Sequence, residues 1–376
     1  MELDFAAPLL DRPGPWATVC VATGRPAEDT AARRELAARA ARDELEAHGA
    51  DRETREAVHR ALTTPAPGGS PAGRVVYATA GQVVLDVPLA RAPATDLVDF
   101  SALPRLTPLV ELAAREPTCL LARVDRTGAD FWLRSGTGAH AAGEVSGERW
   151  PVHRTASADW SEHHFDRSVE ETWERNATVV AEELSRLWRR CGADVVVLAG
   201  DPRIRHEVRM RLPGPVRAVT TESEHGSRAA GSGDRGRLDH DVDRVRHDRV
   251  REHTLDVLER YRAERAKATG AGPAAAAEGV PALVEAAREH RIAALLIDPD
   301  GSDVAREVWV GTDPDQVSDR RTDSAYLGAV RPAPARADDA LLRSAAATGA
   351  EVLRVDGAEA PAGGLGALLR WAEPAR

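Results

Sequence analysis

The clearest hydrophobic pattern in the chain lies between Trp173 and Trp188. There Trp173, Ala177, Val180, Leu184, Leu187 and Trp188 recur at steps of three and four. That spacing predicts an amphipathic helix with one buried stripe. "CGADVVVLAGDP" (Cys191–Pro202) follows, a continuous apolar run that predicts a strand buried on both faces. Upstream, "TCLLARVDRTGADFWLRSG" (Thr118–Gly136) reads as strand, Gly turn, strand. Downstream, "RIRHEVRMRL" predicts a helix and "VRAVTT" a short strand. A Gly- and Ser-rich loop, residues 225–237, then leads into a long charged helix, residues 238–267. In that helix Leu238, Val242, Val245, Leu255, Leu258 and Tyr261 predict one narrow stripe, a thin seam on the helix's own domain. Opposite charges three and four residues apart support an exposed remainder.

The flanks carry shorter patterns. "WATVCVAT" (Trp16–Thr23) predicts a strand, and Leu36, Ala40 and Leu45 mark one face of a charged helix between Thr30 and His48. "RVVYAT" and "QVVLDVPL", parted by Ala80 and Gly81, predict a β-hairpin. After the low-complexity stretch "ATGAGPAAAAEG" (Ala268–Gly279), "VPALVEAAREHRIAALLIDPDG" and "ADDALLRSAAATGAEVLRVDG" each read as helix then strand. The alternation predicts a small αβα domain. The expected architecture is therefore α/β and α+β in three domains: 1–116, 117–268 and 279–376.

Composition narrows the function classes. A net charge of −10 argues against non-specific coating of nucleic acid, while leaving room for local basic contacts. Cys20, Cys119 and Cys191 lie far apart, forming neither a disulfide framework nor a zinc site, which favours a reducing cytosol. No apolar stretch approaches membrane-spanning length, and the acidic start is unlike a signal peptide, so a cytoplasmic protein with no membrane partner is expected. His240 and His247, seven apart, are too widely spaced for a typical helical metal pair, and His163 and His164 read as exposed loop residues. No nucleophile elbow, Walker A loop or dinucleotide fingerprint occurs, and no cofactor is expected. In "GGLGALLR" close packing of a helix on the sheet accounts for the glycines, and in "DPDG" (Asp298–Gly301) a turn accounts for the acids.

Three strings, in this order, resemble the archaeal–eukaryotic class 1 release factor and Pelota superfamily. "RVDRTGADFW" (Arg123–Trp132) resembles the opening hairpin of the middle domain in the bacterial branch. The Gly-rich loop before a charged helix stands where that family has its catalytic loop. The ending "TGAEVLRVDG…GGLGALLRW" is similar to the family's third domain. The resemblance implies a three-domain body: a first domain at the decoding centre, an RNase H-like middle domain whose loop reaches the peptidyl transferase centre, and a ribosomal-protein-like third domain. The branch includes peptidyl-tRNA hydrolases and Balon-like hibernation factors. The Ala- and Arg-rich, Lys-poor composition is similar to that of high-GC actinobacteria.

Catalytic members carry Gly-Gly-Gln, or a nearby glutamine, in the loop. Ester hydrolysis needs a placed water and stabilisation of developing charge. This chain has two glutamines, Gln82 and Gln316, both far from the loop. The loop offers Gly226, Gly231, Gly233 and Gly236 with Ser227 and Ser232, and three arginines, Arg228, Arg235 and Arg237, against Asp234. That balance suits RNA phosphates. Gly226, Arg228, Gly231, Ser232, Gly233, Arg235, Gly236 and Arg237 are the expected RNA-binding residues, with no metal. The expected function is a non-catalytic, A-site-occupying hibernation or stress factor. Its partners would be the ribosome, through rRNA of the A site and peptidyl transferase centre, and elongation factor Tu. One alternative is a peptidyl-tRNA hydrolase or rescue release factor using Ser232 or His225. Another is a stress-linked interaction protein that never meets the ribosome.

Overall fold

A computed structural model of the protein describes residues 6–10, 12–23, 31–66, 71–89, 91–112, 117–135, 138–146, 161–228, 232–269, 274–326, 328 and 331–372. The chain divides into two compact units. One joins Met1–Ala114 to Thr254–Arg376; the other is Arg115–His253.

The first part of the discontinuous unit holds α1 (Ala7–Leu10), β1 (Trp16–Ala22), α2 (Ala31–Ala47), α3 (Arg52–Thr63), β2 (Gly73–Thr79), β3 (Gln82–Leu89), β4 (Leu97–Ser101) and α4 (Thr107–Leu112). The strands form an antiparallel sheet in the order β3-β2-β1-β4. The predicted hairpin is present, and both turn residues, Ala80 at φ 46° and Gly81 at φ 76°, take the positive φ of a type I′ turn. Successive strand residues point to opposite faces. Ala17, Val19 and Val21 of β1 pack with Ala38, Ala41 and Leu45 of α2 and Val58 and Leu62 of α3, while Trp16 and Cys20 join a different core. In α2 the buried face is Ala38, Ala41 and Leu45; Leu36, expected inside, is 70% exposed.

The contiguous unit begins with β5 (Cys119–Asp125), β6 (Gly128–Ser135), β7 (Gly138–Ser146) and α5 (Ser161–Cys191). It continues with β8 (Val195–Gly200), α6 (Pro202–Arg211), α7 (Gly214–Ala218), β9 (Thr220–Glu222) and the start of α8 (Ser232–Thr269). Its sheet has the order β7-β6-β5-β8-β9, with β5, β6 and β7 antiparallel and β8 and β9 parallel to β5. Leu120, Ala122 and Val124 of β5 with Val196 and Leu198 of β8 meet Ala177, Val180, Leu184 and Leu187 of α5 and Ile204 and Val208 of α6. The alternate residues, Cys119, Leu121, Val195, Val197 and Ala199, meet Leu238 and Val242 of α8. The run "VVVLAG" is thus buried on both faces. Residues 163 and 164 lie in the helix α5 and not in a loop.

The remainder of the discontinuous unit holds β10 (Ala276–Glu278), α9 (Val280–Arg288), β11 (Ile292–Ile297), β12 (Glu307–Val310), β13 (Val317–Ser318) and α10 (Arg321–Tyr326). It closes with β14 (Ala333–Arg336), α11 (Ala337–Thr348), β15 (Glu351–Arg354) and β16 (Leu365–Leu369). One sheet runs β10-β16-β11-β15, a smaller one β13-β12-β14. Ile292, Leu295 and Ile297 face α9 and α11 in the same core that takes Trp16, Cys20, Tyr77, Leu106 and Leu109. Ala294 and Leu296 face Val257, Leu258 and Tyr261 of α8. The first and third predicted segments therefore share one core.

A buried polar cluster accompanies that shared core. Asp338 and Asp339 are almost fully buried at the start of α11. Thr107 Oγ1 donates to Asp338 at 2.8 Å, the Leu106 N–H to Asp339 at 3.1 Å, and Arg105 and Arg336 pair with the two carboxylates at 3.0 and 2.9 Å. Burial, and then the neighbouring Asp338, push the Asp339 carboxyl well above the usual range, with Arg105 opposing. The closing glycines serve two ends. Gly366 lies under Tyr261 of α8, whose Oη would be 2.8 Å from a Cβ there, so it seats a helix as expected. A Cβ on Gly301 would lie 2.4 Å from the Gly364 Cα, so there two backbones touch, where Asp298 N–H donates to the Gly364 carbonyl at 2.8 Å.

Candidate nucleic-acid interface

The arm leaves the short strand β9 at the carboxyl end of the middle sheet and returns as α8. Helix α8 starts at Ser232, six residues before the expected 238, so Arg235, Gly236 and Arg237 are helical and not part of a loop. Gly231 lies outside the described residues, as do the side-chain surroundings of Ser232 and Gly233.

The root of the arm is pinned at each step. The Ser223 N–H donates to the Leu198 carbonyl at 2.8 Å, and its hydroxyl donates to Asp241 of α8 at 2.7 Å. The buried Arg205 donates to the Ser223 carbonyl. Gly226 has φ 90°, and a Cβ there would lie 2.4 Å from the Leu238 Cδ2. Its place is fixed by both conformation and space. Asp234, in the first turn of α8, accepts the Gly226 N–H at 2.7 Å and the Ser227 N–H at 3.3 Å. Its other oxygen lies 3.5 Å from His225 Nδ1. From the sheet side, Arg123 donates to the carbonyls of Gly226 (3.1 Å) and Ser227, with its guanidinium 5.4 Å from the Trp132 ring centroid.

The arginines divide into two kinds. Arg228, 18% exposed, folds onto the edge of β5, β6 and β7, where it meets Asp130 at 2.6 Å, Asp125 at 3.0 Å and Glu144 at 3.6 Å. Its bond to Asp130 raises the guanidinium further, against burial. Burial would lift the Asp125 carboxyl, but bonds from Thr127 and Arg228 hold it below the usual carboxylate range. Arg235 and Arg237 are exposed at the start of α8. Burial, then the charge of Arg235, lowers Arg123. An incoming anion would relieve that repulsion at a helix N-terminus already favourable to negative charge.

Strand register explains residues the sequence reading did not assign. Arg123 stands opposite Asp130, and Asp130 opposite Glu144, so one row of side chains crosses three strands. Arg123 and Asp125 continue the row of Cys119 and Leu121 that faces α8. The alternation in "CLLARVD" carries that signal, but only once the pairing is known. Of the two catalytic candidates, His225 is placed beside Asp234, and the side chain of Ser232 lies outside the described residues. His240 is exposed, and His247 Nδ1 is 2.6 Å from the Asp243 carbonyl of its own helix. Among the described residues no group of three His, Cys, Asp or Glu gathers that could hold a metal, and no helix is long and apolar enough to cross a membrane.

Residues 118–267, which hold this arm and its sheet, match the family described as Bacterial archaeo-eukaryotic release factor family 2. Over 364 residues the chain is 30% identical to the uncharacterized protein Rv2629 of Mycobacterium tuberculosis strain H37Rv, spanning 96% of this chain and 94% of that one. Among solved structures it is similar to the archaeal translation termination factor aRF1, with 16% identity, TM-score 0.27 and coverage of 96% of this chain and 93% of that one. It is also similar to archaeal Pelota in a ribosome-bound model with ABCE1, at 17% identity, TM-score 0.42 and coverage of 80% and 78%. The match over the arm and its sheet gives the family: the chain belongs to the bacterial archaeo-eukaryotic release factors.

Proposed function

We propose that the protein is a cytoplasmic, ribosome-binding translation factor that occupies the A site as a hibernation or stress factor, without hydrolysing peptidyl-tRNA. The observation that carries the reading is the arm itself. Its backbone is braced by Asp234 and Arg123, it presents Arg235 and Arg237 outward, and it contains no glutamine. A braced, positively charged projection suits steric occupancy of an RNA-walled cleft. Hydrolysis needs a positioned nucleophile as well. The order β7-β6-β5-β8-β9 supports the RNase H-like description of the middle unit. Gly226 shapes the root of the arm in this reading; Arg228 anchors it, and Arg235 and Arg237 meet rRNA. Elongation factor Tu is the delivery partner that the family suggests.

Ribosome pelleting from stationary-phase and growing cells tests the reading. Intact protein should pellet, more so in stationary phase, and Arg235→Ala with Arg237→Ala should shift it to the supernatant. Intact protein that stays in the supernatant at low salt in both states would end the ribosome reading.

A hydrolytic reading has one foothold, the His225–Asp234 pair at 3.5 Å. The same carboxylate also accepts two backbone N–H groups, which accounts for its position without chemistry. Release of the acyl group from N-acetyl-aminoacyl-tRNA by the intact protein, abolished in His225→Ala, would establish hydrolysis instead.

A further inference from the structure

On the other side of β5 from the arm's row, the sequence Leu120, Ala122, Val124 ends in Arg126 at the hairpin turn. Its guanidinium lies over the ring of Trp173 in α5, 4.3 Å from the centroid. Arg203, in the first turn of α6, lies 5.4 Å from the same ring. The half-buried indole thus holds two arginines that remain largely exposed, Arg126 at 58%. The Arg126 carbonyl accepts a bond from Asn176 Nδ2 at 2.9 Å, which fixes the turn. Asp201 stands 3.5 Å from Arg126 Nε, and it is engaged as the N-cap of α6, accepting from the N–H groups of Arg203 and Ile204.

Stacking on an indole costs an arginine rotamer freedom but leaves its N–H edge outward, so less is lost when it binds a planar or tetrahedral anion. Arg126 follows the carboxyl end of β5, and Arg203 follows that of β8, its parallel neighbour, the end of such sheets where ligands bind. Thr127, the next residue after Arg126, has its hydroxyl 3.3 Å from Arg228 of the arm. The hairpin turn that carries Arg126 thus adjoins the arm.

We infer that Arg126 and Arg203, splinted on Trp173, form a second RNA-backbone clamp that grips phosphates on the side of the sheet away from the arm. The inference rests on the RNA-facing reading of the arm and names a further contact for it.

The test is fluorescence anisotropy of the full chain with a labelled single-stranded RNA of about twelve nucleotides, in a salt series. Arg126→Ala and Arg203→Ala should each weaken binding about threefold to tenfold at low salt, and each should reduce the salt slope by about one. Arg126→Lys and Arg203→Lys, which keep the charge, should retain most of the slope. Unchanged affinity and slope in both alanine variants would overturn the clamp, as would intact protein that does not bind the RNA. Neither result bears on pelleting of the intact protein, so failure of the clamp and failure of the ribosome reading are told apart. A weakened variant whose thermal midpoint has also dropped is judged by its lysine counterpart: loss of binding there too would mean packing rather than charge, and would overturn the clamp.

Discussion

At Gly226 two demands meet that only glycine satisfies, a φ of 90° and a backbone pressed against Leu238. Gly226→Ala should cost about 1–3 kcal/mol through strain and displacement of Leu238, read as a lower denaturation midpoint with faster amide exchange at residues 223–228. The sequence marks this residue as a loop glycine, but the reason lies twelve positions away and needs the packing. Arg228 makes the same point about charge. Its sequence context gives it the role of Arg235 and Arg237, yet three carboxylates, one each from β5, β6 and β7, surround it. Those acids are recognisable only when strand register places Asp130 and Glu144 in one row.

At the scale of elements, α8 shows where periodicity misleads. One stripe from Leu238 to Tyr261 is expected, but the buried residues are Leu238 and Val242 in the contiguous unit, and Val257, Leu258 and Tyr261 in the other. At 3.6 residues per turn the two sets are out of phase by roughly 130°, so one narrow stripe could not contain both. Leu255 falls between them and is 43% exposed. Leu238→Ala should cost about 2–4 kcal/mol in urea denaturation, whereas Leu255→Ala should stay within about 0.5 kcal/mol. By contrast, "VVVLAG" and the Trp173–Trp188 stripe are legible because each serves neighbours within one unit. The hairpin at Ala80 and Gly81 is legible because two residues decide its turn.

At the scale of the whole molecule, the sequence reads as three consecutive segments, while the cores join the first to the third. The signal that would have revealed this is faint: Thr107 and Arg105 on one segment, Asp338 and Asp339 on another, more than two hundred residues apart. Asp338→Ala would leave Arg336 and Thr107 without their buried partner, at a cost of about 3–5 kcal/mol. Calorimetry should resolve two transitions, with this substitution lowering the one that belongs to the discontinuous unit and leaving the other in place. The shared core also sets an order of events during synthesis. Residues 115–253 can close on themselves as soon as they leave the exit tunnel, but the face of the first segment formed by Trp16, Cys20, Tyr77, Leu106 and Leu109 has no partner until the chain beyond Thr254 has been made. At about 5–20 residues per second that apolar face is left open for roughly 7–28 s. The nascent chain is then a natural client for chaperones that shield early hydrophobic surface.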